Sequence, residues 1–180
     1  MIIAITGSVG SGKTTLAKEL LKELNKDFEK EELTVLKQRK YELIHLNELA
    51  IEHKIEDVKE LQTFDFDIDK LVYELNKMLE DAKNSNKNLI LEGHFAHFLN
   101  PEYVDYLFVV NRDLEELQKE YNNREYNDQK AKDNLEVESF NLCFYEAIEE
   151  GFEEEKQVFC LDNDTNLADL VEKIKKIIAN

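Results

Sequence analysis

At 180 residues the chain is long enough for one domain with a full hydrophobic core. Its 40 acidic and 23 basic residues give a net charge of −17, which argues against broad binding to nucleic acid or to an anionic membrane and leaves a basic protein partner compatible. No apolar stretch has the length of a membrane span, and Cys143 and Cys160 lack metal-ligand spacing. We therefore expect a cytoplasmic protein with reduced thiols.

The first fifteen residues carry the most specific signal in the chain. Met1–Ile5 is an apolar run that predicts a buried parallel strand, and Gly7 to Thr14 match the phosphate-loop pattern G-x-x-x-x-G-K-[ST] at every fixed position. Leucines at helical spacing follow. In such a loop, backbone N–H groups cradle a polyphosphate, while Lys13 can neutralise its charge and Thr14 can hold Mg²⁺. The predicted nucleotide site comprises Gly10, Ser11, Gly12, Lys13, Thr14 and Thr15.

After the first helix, Leu33–Gln38 predicts a second strand. Three basic side chains follow it: Arg39, Lys40 and His45. They could form a cluster that faces a phosphate, or they could be the solvated end of a strand. Leu46–Ile55 then predicts a short helix, for which Asn47 is a possible cap.

The run Thr63–Asp69 alternates apolar and acidic residues. Three carboxylates two residues apart could suggest a metal site, but the run has no glycine turn, and Asp67 or Asp69 can instead cap the next helix. We favour the cap. Apolar residues between Ile68 and Ala82 recur at i, i+3, i+4 and i+7, which predicts an amphipathic helix packed on a sheet.

The second half of the chain continues the alternation of strands and helices. Buried strands are expected at Asn88–Leu91, Tyr106–Val110 and Val158–Leu161. Helices are expected from Asp113, as cap, to about Asn123, from about Lys130 to Gly151, and from Leu167 to Ile178. Short apolar strands that alternate with amphipathic helices predict a single α/β domain over residues 1–180, with a parallel sheet covered on both faces.

In such a sheet, ligands bind beyond the carboxyl ends of the strands. Six side chains are predicted to lie there: Lys13, Arg39, Glu92, His94, Arg112 and Asp162. Glu92 and His94 follow a buried strand directly, so the carboxylate could orient Mg²⁺ or its waters and the imidazole could position a water or an acceptor hydroxyl. The alternative is a helix-capping Glu and a partly buried structural His. We favour the functional role for this pair and a structural role for His45, His53 and His97.

With these residues in view, the chain resembles the nucleoside monophosphate kinases, most closely the archaeal-type adenylate kinases related to eukaryotic adenylate kinase isoenzyme 6. Beyond the phosphate loop, the resemblance is carried by Leu46–Ala50, Asp65–Leu75, Leu91–His94, Asn111-Arg112, Arg124–Lys130 and Asp133–Glu138. It implies a three-layer P-loop NTPase fold with a five-stranded parallel sheet. It also implies a monophosphate-binding insertion at about residues 30–54 and a lid at about residues 120–133.

The resemblance further implies ATP on the phosphate loop, AMP as acceptor, and Mg²⁺ served by Thr14 and by Glu92 through water, with His94 positioning water. Arg112 and the lid arginine, Arg124, would stabilise the transferring group. Members of this family also act as ATPases in maturation of the small ribosomal subunit, so a basic ribosomal protein is an expected partner.

The sequence departs from the family pattern at a few positions. Glu120 and Glu125 stand where the lid usually has Arg and Gly, Ile51 stands where a cation often meets the acceptor phosphate, and eukaryotic relatives have Asp at the place of Glu92. Three hypotheses follow: an ATP:AMP phosphotransferase that also hydrolyses ATP, an ATPase assembly factor acting on a basic ribosomal protein, and a small-molecule kinase with another acceptor.

Overall fold

The computed structural model of the protein describes residues 1–30, 40–164 and 166–179. The strands are β1 (Ile2–Thr6), β2 (Tyr41–His45), β3 (Lys54–Val58), β4 (Thr63–Phe66), β5 (Asn88–Glu92), β6 (Tyr106–Asn111) and β7 (Val158–Asp162). The α-helices are α1 (Lys13–Lys30), α2 (Leu46–Glu52), α3 (Ile68–Asn84), α4 (Leu114–Asn123), α5 (Asp128–Ser139), α6 (Leu142–Glu149) and α7 (Leu167–Ile178).

Five of these strands form one parallel sheet in the order β2-β5-β1-β6-β7. The expected parallel sheet with helices on both faces is thereby confirmed. The central strand β1 is buried along its whole length, and its side chains alternate between the two faces. Ile3 and Ile5 pack with α1 and α7, whereas Ile2 and Ala4 pack with the cluster that includes α3 and α6. Both faces of β1 are therefore apolar, as a sheet between two helical layers requires.

The helical layers bury the apolar stripes that the sequence predicted. On one face lie Leu16, Ala17 and Leu20 of α1 together with Leu170, Val171 and Ile174 of α7. On the other lie Leu71, Leu75 and Leu79 of α3 together with Cys143 and Ala147 of α6. Both cysteines are free thiols. None of the helices in the described residues is long and apolar enough to cross a membrane.

The connection between α1 and α3 differs from the sequence prediction. The strand expected at Leu33–Gln38 lies outside the described residues, and the strand at the sheet edge is β2. The helix expected at Leu46–Ile55 ends at Glu52, because Ile55 belongs to β3, which pairs antiparallel with β4. Polar residues such as Glu56 and Asp57 conceal this hairpin from a search for buried strands.

Capping explains where several helices begin. Asp67 is the N-cap of α3, and its side chain accepts a hydrogen bond from Lys70 N. This is the capping role that the sequence analysis favours over a metal site. Asp113 caps α4 in the same way. The expectation that Asn47 caps a helix is wrong: the N-cap of α2 is His45, without a side-chain cap hydrogen bond, and the Asn47 side chain contacts His94 instead.

The long helix expected from Lys130 to Gly151 is two helices. Asn141 adopts a left-handed conformation, with φ at +49°, between α5 and α6. A single left-handed residue ends the α-helical path, and Asn tolerates this conformation better than most residues. The break turns α6 so that Cys143 and Ala147 reach the core cluster beside the sheet.

Candidate active site

The phosphate loop joins β1 to α1 and is shaped by close backbone approaches. Gly7 has a φ of +140°, and a methyl group added there would overlap the carbonyl oxygen of Val110 on the neighbouring strand. Only glycine combines this conformation with this contact. On the far side of the loop, Asn163 Nδ2 donates to Ser11 O at 2.7 Å. The loop is thus held between the ends of β6 and β7.

Lys13, the first residue of α1, is a buried cation. It is 5% exposed, and its Nζ donates to Ser8 O at 3.0 Å across the loop. Burial lowers the pKa of Lys13, and the nearby Glu92 charge acts in the opposite direction. Among the residues that the structure describes, no carboxylate lies within ion-pairing distance of its ammonium. A buried ammonium facing loop carbonyls and a helix N-terminus is suited to hold a phosphate anion.

Glu92 connects the phosphate loop to the edge strand. It is 3% exposed, and its Oε2 accepts a hydrogen bond from Thr14 Oγ1 at 3.0 Å. Its Oε1 lies 2.6 Å from His45 Nδ1. The parallel register places His45 directly opposite Glu92. The prediction of a structural role for His45 is therefore incomplete, because His45 contacts Glu92 in the site. The signal was present in the sequence, since His45 ends the strand that borders the strand of Glu92.

His94 lies two residues beyond Glu92, with its Nδ1 2.9 Å from Asn47 Oδ1. Burial, helped by the positive charge of Lys13, lowers the pKa of His94 to about 4, so the imidazole is neutral at neutral pH. A neutral imidazole has one nitrogen that can accept a proton. His94 can therefore orient a water or a hydroxyl without adding positive charge to the site.

Two residues that the sequence analysis did not single out clamp the phosphate loop from the side of α4 and α5. Glu138 accepts from Ser8 Oγ and from Arg112 N, both at 2.6 Å. Tyr121, fully buried, donates its hydroxyl to Val9 O at 2.6 Å. Burial raises the pKa of both the Glu138 carboxyl and the Tyr121 hydroxyl, the latter to about 12. Glu138 ends a segment that carries the family resemblance, but the sequence did not indicate its contact with the loop, since only the tertiary fold brings α4 and α5 there.

Two cavities flank the phosphate loop and share Val9. One has a volume of about 370 Å³ and is lined by Val9, Gly10, Gly12, Lys13, Thr14, Thr15, Asn47, Arg112, Glu120 and Arg124. It brings together most of the predicted nucleotide-site residues with both predicted arginines. Arg112 Nη1 donates to Gly10 O at 2.9 Å, and Arg124 Nε donates to Glu120 Oε1 at 2.7 Å. This polar cavity holds the Lys13 ammonium and could accommodate a polyphosphate.

The second cavity has a volume of about 350 Å³ and lies on the other side of the loop. Apolar side chains line much of it: Phe64, Phe66, Ile68, Phe95, Phe98 and Val137. His94 and His97 also contribute, together with the carboxylates Asp65 and Glu146. In the described parts of the chain, no Lys or Arg lines this cavity. Its chemistry suits an aromatic ring better than a phosphate.

The remaining predicted site residues do not join these cavities. Arg39 lies outside the described residues. Asp162 ends β7 and lines neither cavity, although the next residue, Asn163, contacts the loop.

The turn of the β3–β4 hairpin contacts the segment predicted to be the lid. Asn127 N donates to Gln62 Oε1 at 2.9 Å, and Asn127 Nδ2 donates to Glu60 O at 2.6 Å. Lys130 Nζ donates to Gln62 O at 2.6 Å. These hydrogen bonds are exposed, although Asn127 and Lys130 are half-buried residues, so the bonds compete with water and contribute little to stability. The hairpin and this segment can therefore separate at low cost.

The residues present fit ATP with Mg²⁺. Thr14 and Glu92 offer oxygen ligands, which Mg²⁺ prefers, and Lys13 and Arg112 supply positive charge next to the loop. Within residues 1–30, 40–164 and 166–179, no group of three or more His, Cys, Asp or Glu side chains could hold a metal.

His97 predicts a pH dependence of stability. It is 2% exposed, its Nδ1 lies 2.8 Å from Thr6 Oγ1, and its Nε2 lies 2.9 Å from Glu146 Oε2 outside hydrogen-bonding geometry. Burial, with a smaller effect from His94, lowers its pKa from 6.5 to about 4. The unfolded chain therefore takes up the proton first as the pH falls, and stability is lost between pH 6.5 and about pH 4.

We expect this residue to contribute about 3 kcal/mol to that loss. Urea unfolding of the wild type and of His97→Gln at pH 7 and near pH 4 measures this contribution, because groups that do not contact His97 titrate equally in both proteins. The variant should lose less free energy of unfolding over this interval than the wild type. Equal losses would show that His97 does not titrate as its burial indicates.

The chain is similar in sequence to known proteins. Residues 3–141 match the sequence model of the family described as "AAA domain". A "Putative adenylate kinase" of Methanococcus maripaludis is 33% identical over 165 residues, which span 90% of this chain and 79% of that protein. A protein of the same name from Thermococcus gammatolerans is 33% identical over 151 residues, covering 84% and 72%.

Solved structures confirm the fold. The crystal structure of a sugar kinase from Janibacter superposes with a TM-score of 0.60 at 12% identity and covers 99% of this chain and 94% of its own. At this identity the likeness concerns the arrangement of the sheet and helices alone. The phosphate loop, the buried Lys13 and the polar cavity beside it are therefore set in the architecture of a P-loop kinase.

Proposed function

This chain belongs to the AAA domain family. From its similarity to the archaeal relatives, we propose that it is an ATP-dependent nucleoside monophosphate kinase that converts ATP and AMP to two ADP and also hydrolyses ATP. Within the family we propose that it corresponds to the archaeal-type adenylate kinases related to isoenzyme 6. The observation that carries the proposal is the buried ammonium of Lys13, next to the Thr14–Glu92 pair, in a loop with a cavity on either side.

In this proposal each residue has a defined task. The polar cavity binds ATP, with the loop amides and Lys13 on its phosphates and Arg112 and Arg124 facing the transferring group. Thr14 and, through water, Glu92 would hold Mg²⁺, which when bound neutralises charge that develops on the phosphate oxygens. Phosphoryl transfer needs positioning and charge stabilisation more than covalent chemistry from the protein. The cluster at the carboxyl ends of β1, β5 and β6 meets that need.

His94 is proposed to orient the oxygen that attacks the γ-phosphate. It lines the second cavity, opposite the donor side of the loop, and its neutral imidazole can accept a hydrogen bond from that oxygen. When AMP is seated, the attacking oxygen belongs to the acceptor phosphate and needs no proton removed. When the acceptor is absent, water attacks in its place. Water must give up a proton, so an imidazole that can accept one helps hydrolysis more than it helps transfer to AMP.

The chain is proposed to act as a single domain with a monophosphate-binding insertion at about residues 30–54 and a lid at about residues 120–133. The exposed hydrogen bonds between the Gln62 turn and Asn127 support a lid that opens at low cost. Closure of such a segment excludes water from the reacting phosphate. Glu120 reduces the positive charge that Arg124 presents, which weakens closure over phosphates.

A second candidate function is a small-molecule kinase with an acceptor other than AMP. The observation that favours it is the lining of the second cavity, which among described residues holds aromatic rings and two carboxylates but no cation. An acceptor that carries an aromatic ring and a hydroxyl, without a phosphate, would fit such a lining. The names of the archaeal relatives favour AMP and keep this candidate second.

One experiment tests the proposed function. ADP formation from ATP is measured with purified protein, first without acceptor and then with each nucleoside monophosphate. We expect formation of ADP that depends on AMP, together with appreciable hydrolysis without any acceptor. Hydrolysis that no monophosphate alters would favour the second candidate, and absence of any ATP turnover would contradict both.

Ile51→Arg should lower the KM for AMP. Ile51 is 60% exposed on α2, one turn beyond Asn47, so both side chains lie on the same face of the helix. Asn47 contacts His94, which lines the second cavity. A guanidinium there can pair with the acceptor phosphate. We expect a decrease of about five-fold, with the KM for ATP unchanged. Ile55→Arg, which adds the same charge at an exposed position of β3, is the control. Equal effects of both variants would contradict a specific contact.

A further inference from the structure

The junction between β2 and α2 supplies two polar side chains to the end of β5. His45 and Asn47 flank the fully buried Leu46, and each contacts one member of the Glu92–His94 pair. The contacts are short, at 2.6 Å for His45 and 2.9 Å for Asn47. Neither side chain caps the helix that begins here. The two contacts therefore have no role in starting α2.

Backbone packing fixes the distance between the junction and the strand end. Gly93 lies so close to Leu46 that a Cβ added to it would be 2.7 Å from Leu46 Cβ and 3.3 Å from Asn47 Oδ1. The pairing of β2 with β5 continues to the last residue of both strands. The side chains of His45 and Asn47 thus reach Glu92 and His94 from a rigid base.

The contact with Glu92 leaves that carboxylate little freedom. Both of its oxygens are engaged, Oε2 by the hydroxyl of Thr14 and Oε1 by His45. Because a carboxylate oxygen only accepts hydrogen bonds, the proton in the short contact is carried by His45 Nδ1. The His45 imidazole thus holds the plane of the carboxylate so that its other oxygen faces the phosphate loop.

The contact with His94 determines which of its ring nitrogens is free. Asn47 presents its amide oxygen, an acceptor, to His94 Nδ1, so the proton of the neutral imidazole is on Nδ1. Nε2 then has a lone pair. The ring stands edge-on to Phe95, with centroids 5.3 Å apart and planes at 86°, which restricts its rotation. Partners of this kind set the tautomer of functional histidines in many sites.

We propose that His45 and Asn47 are positioning residues, His45 fixing the Glu92 carboxylate against Thr14 and Asn47 holding His94 in the tautomer that leaves Nε2 as the proton acceptor. Only the kinetic consequence of this inference rests on the proposed function. The tautomer of His94 is a property of the protein without nucleotide and can be measured whether or not the reaction is the one proposed.

The test of Asn47 uses nuclear magnetic resonance of protein with ¹⁵N-labelled histidine, at about pH 8, where imidazoles are neutral. The chain has four histidines, and His94→Gln assigns the signal. We expect the Nδ1–H tautomer in the wild type, loss of this preference in Asn47→Leu, and its retention in Asn47→Asp, which keeps an acceptor oxygen. Glu48→Gln, exposed on the same helix, is the matched control. An Nε2–H wild type, or an Asn47→Leu variant that keeps Nδ1–H, would overturn the proposal.

The kinetic test separates positioning from stability. Asn47→Leu and His45→Phe should each lower kcat for ATP hydrolysis about ten-fold, with the Tm nearly unchanged. Because His45 does not line the polar cavity, His45→Phe should also leave the KM for ATP nearly unchanged. His45→Asn, whose amide nitrogen can reach the place of Nδ1, should recover most of the loss. If His45→Asn and His45→Phe are equally impaired, the role assigned to His45 is wrong. If the wild type hydrolyses no ATP, the proposed function fails, while the tautomer measurement still decides the role of Asn47.

Discussion

Lys13→Ala should reduce ADP formation about a thousand-fold while the protein stays folded. The ammonium of Lys13 is buried within the loop that receives the phosphates, and its interaction strengthens as charge develops on the transferring group. The loss should therefore appear mainly in kcat. Because the buried ammonium is costly to desolvate, its removal should not lower the free energy of unfolding greatly.

Lys18→Ala is the matched control, since Lys18 is exposed on the same helix. Steady-state kinetics of both variants, with circular dichroism and urea unfolding to confirm the fold, measure the effect. A Lys13→Ala protein that retains near-normal turnover would show that the loop does not hold the reacting phosphates. Equal losses in both variants would point to a change in α1 rather than in the site.

Glu92→Gln should reduce turnover about a hundred-fold. The substitution keeps the size of the side chain but removes its negative charge. The side chain that Thr14 and His45 contact would then be a neutral amide. Among described residues, Glu92 is the only carboxylate that contacts Thr14, so the proposed Mg²⁺ site would lose its carboxylate. We expect a higher Mg²⁺ concentration for half-maximal turnover in the variant. A raised Mg²⁺ requirement would distinguish a role of Glu92 in metal binding from a purely structural role.

Glu42→Gln removes an exposed carboxylate from the neighbouring strand β2 and serves as the control. ADP formation is measured for both variants across a range of Mg²⁺ concentrations, with and without AMP. If Glu92→Gln lowers turnover without changing the Mg²⁺ requirement, Glu92 acts on the attacking oxygen rather than on the metal. If neither quantity changes, the assignment of Glu92 to the active site is wrong.

The histidines show where sequence reasoning about the site reached its limit. His94 could be selected because it follows a predicted buried strand by two residues, and the structure places it at the cavity beside the loop. His45 was assigned a structural role because its strand was expected at Leu33–Gln38, several residues earlier. Once β2 is known to be Tyr41–His45, the register with β5 brings His45 to Glu92. The sequence alone did not predict β2 or its register with β5, and His45 was therefore left out of the predicted site.

The helices also differ in how far the sequence predicts them. The stripe from Ile68 to Ala82 gave α3 correctly, because an amphipathic helix is encoded by the spacing of its own residues. The stretch from Lys130 to Gly151 also reads as helix, yet the chain turns at Asn141. Nothing local requires this turn. It is favoured because it lets Cys143 and Ala147 pack against the sheet while Glu138 reaches the phosphate loop.

The sequence by itself determined the phosphate loop, the parallel sheet between helical layers and the placement of Lys13, Thr14 and Glu92 at strand ends. These features depend on residue spacing within short segments, where backbone conformation, hydrophobic periodicity and helix caps act locally. The tertiary structure alone decided the β3–β4 hairpin, the clamp formed by Tyr121 and Glu138, and the contacts of His45 and Asn47. Each joins segments far apart in the chain, so its energy depends on packing that no local pattern encodes.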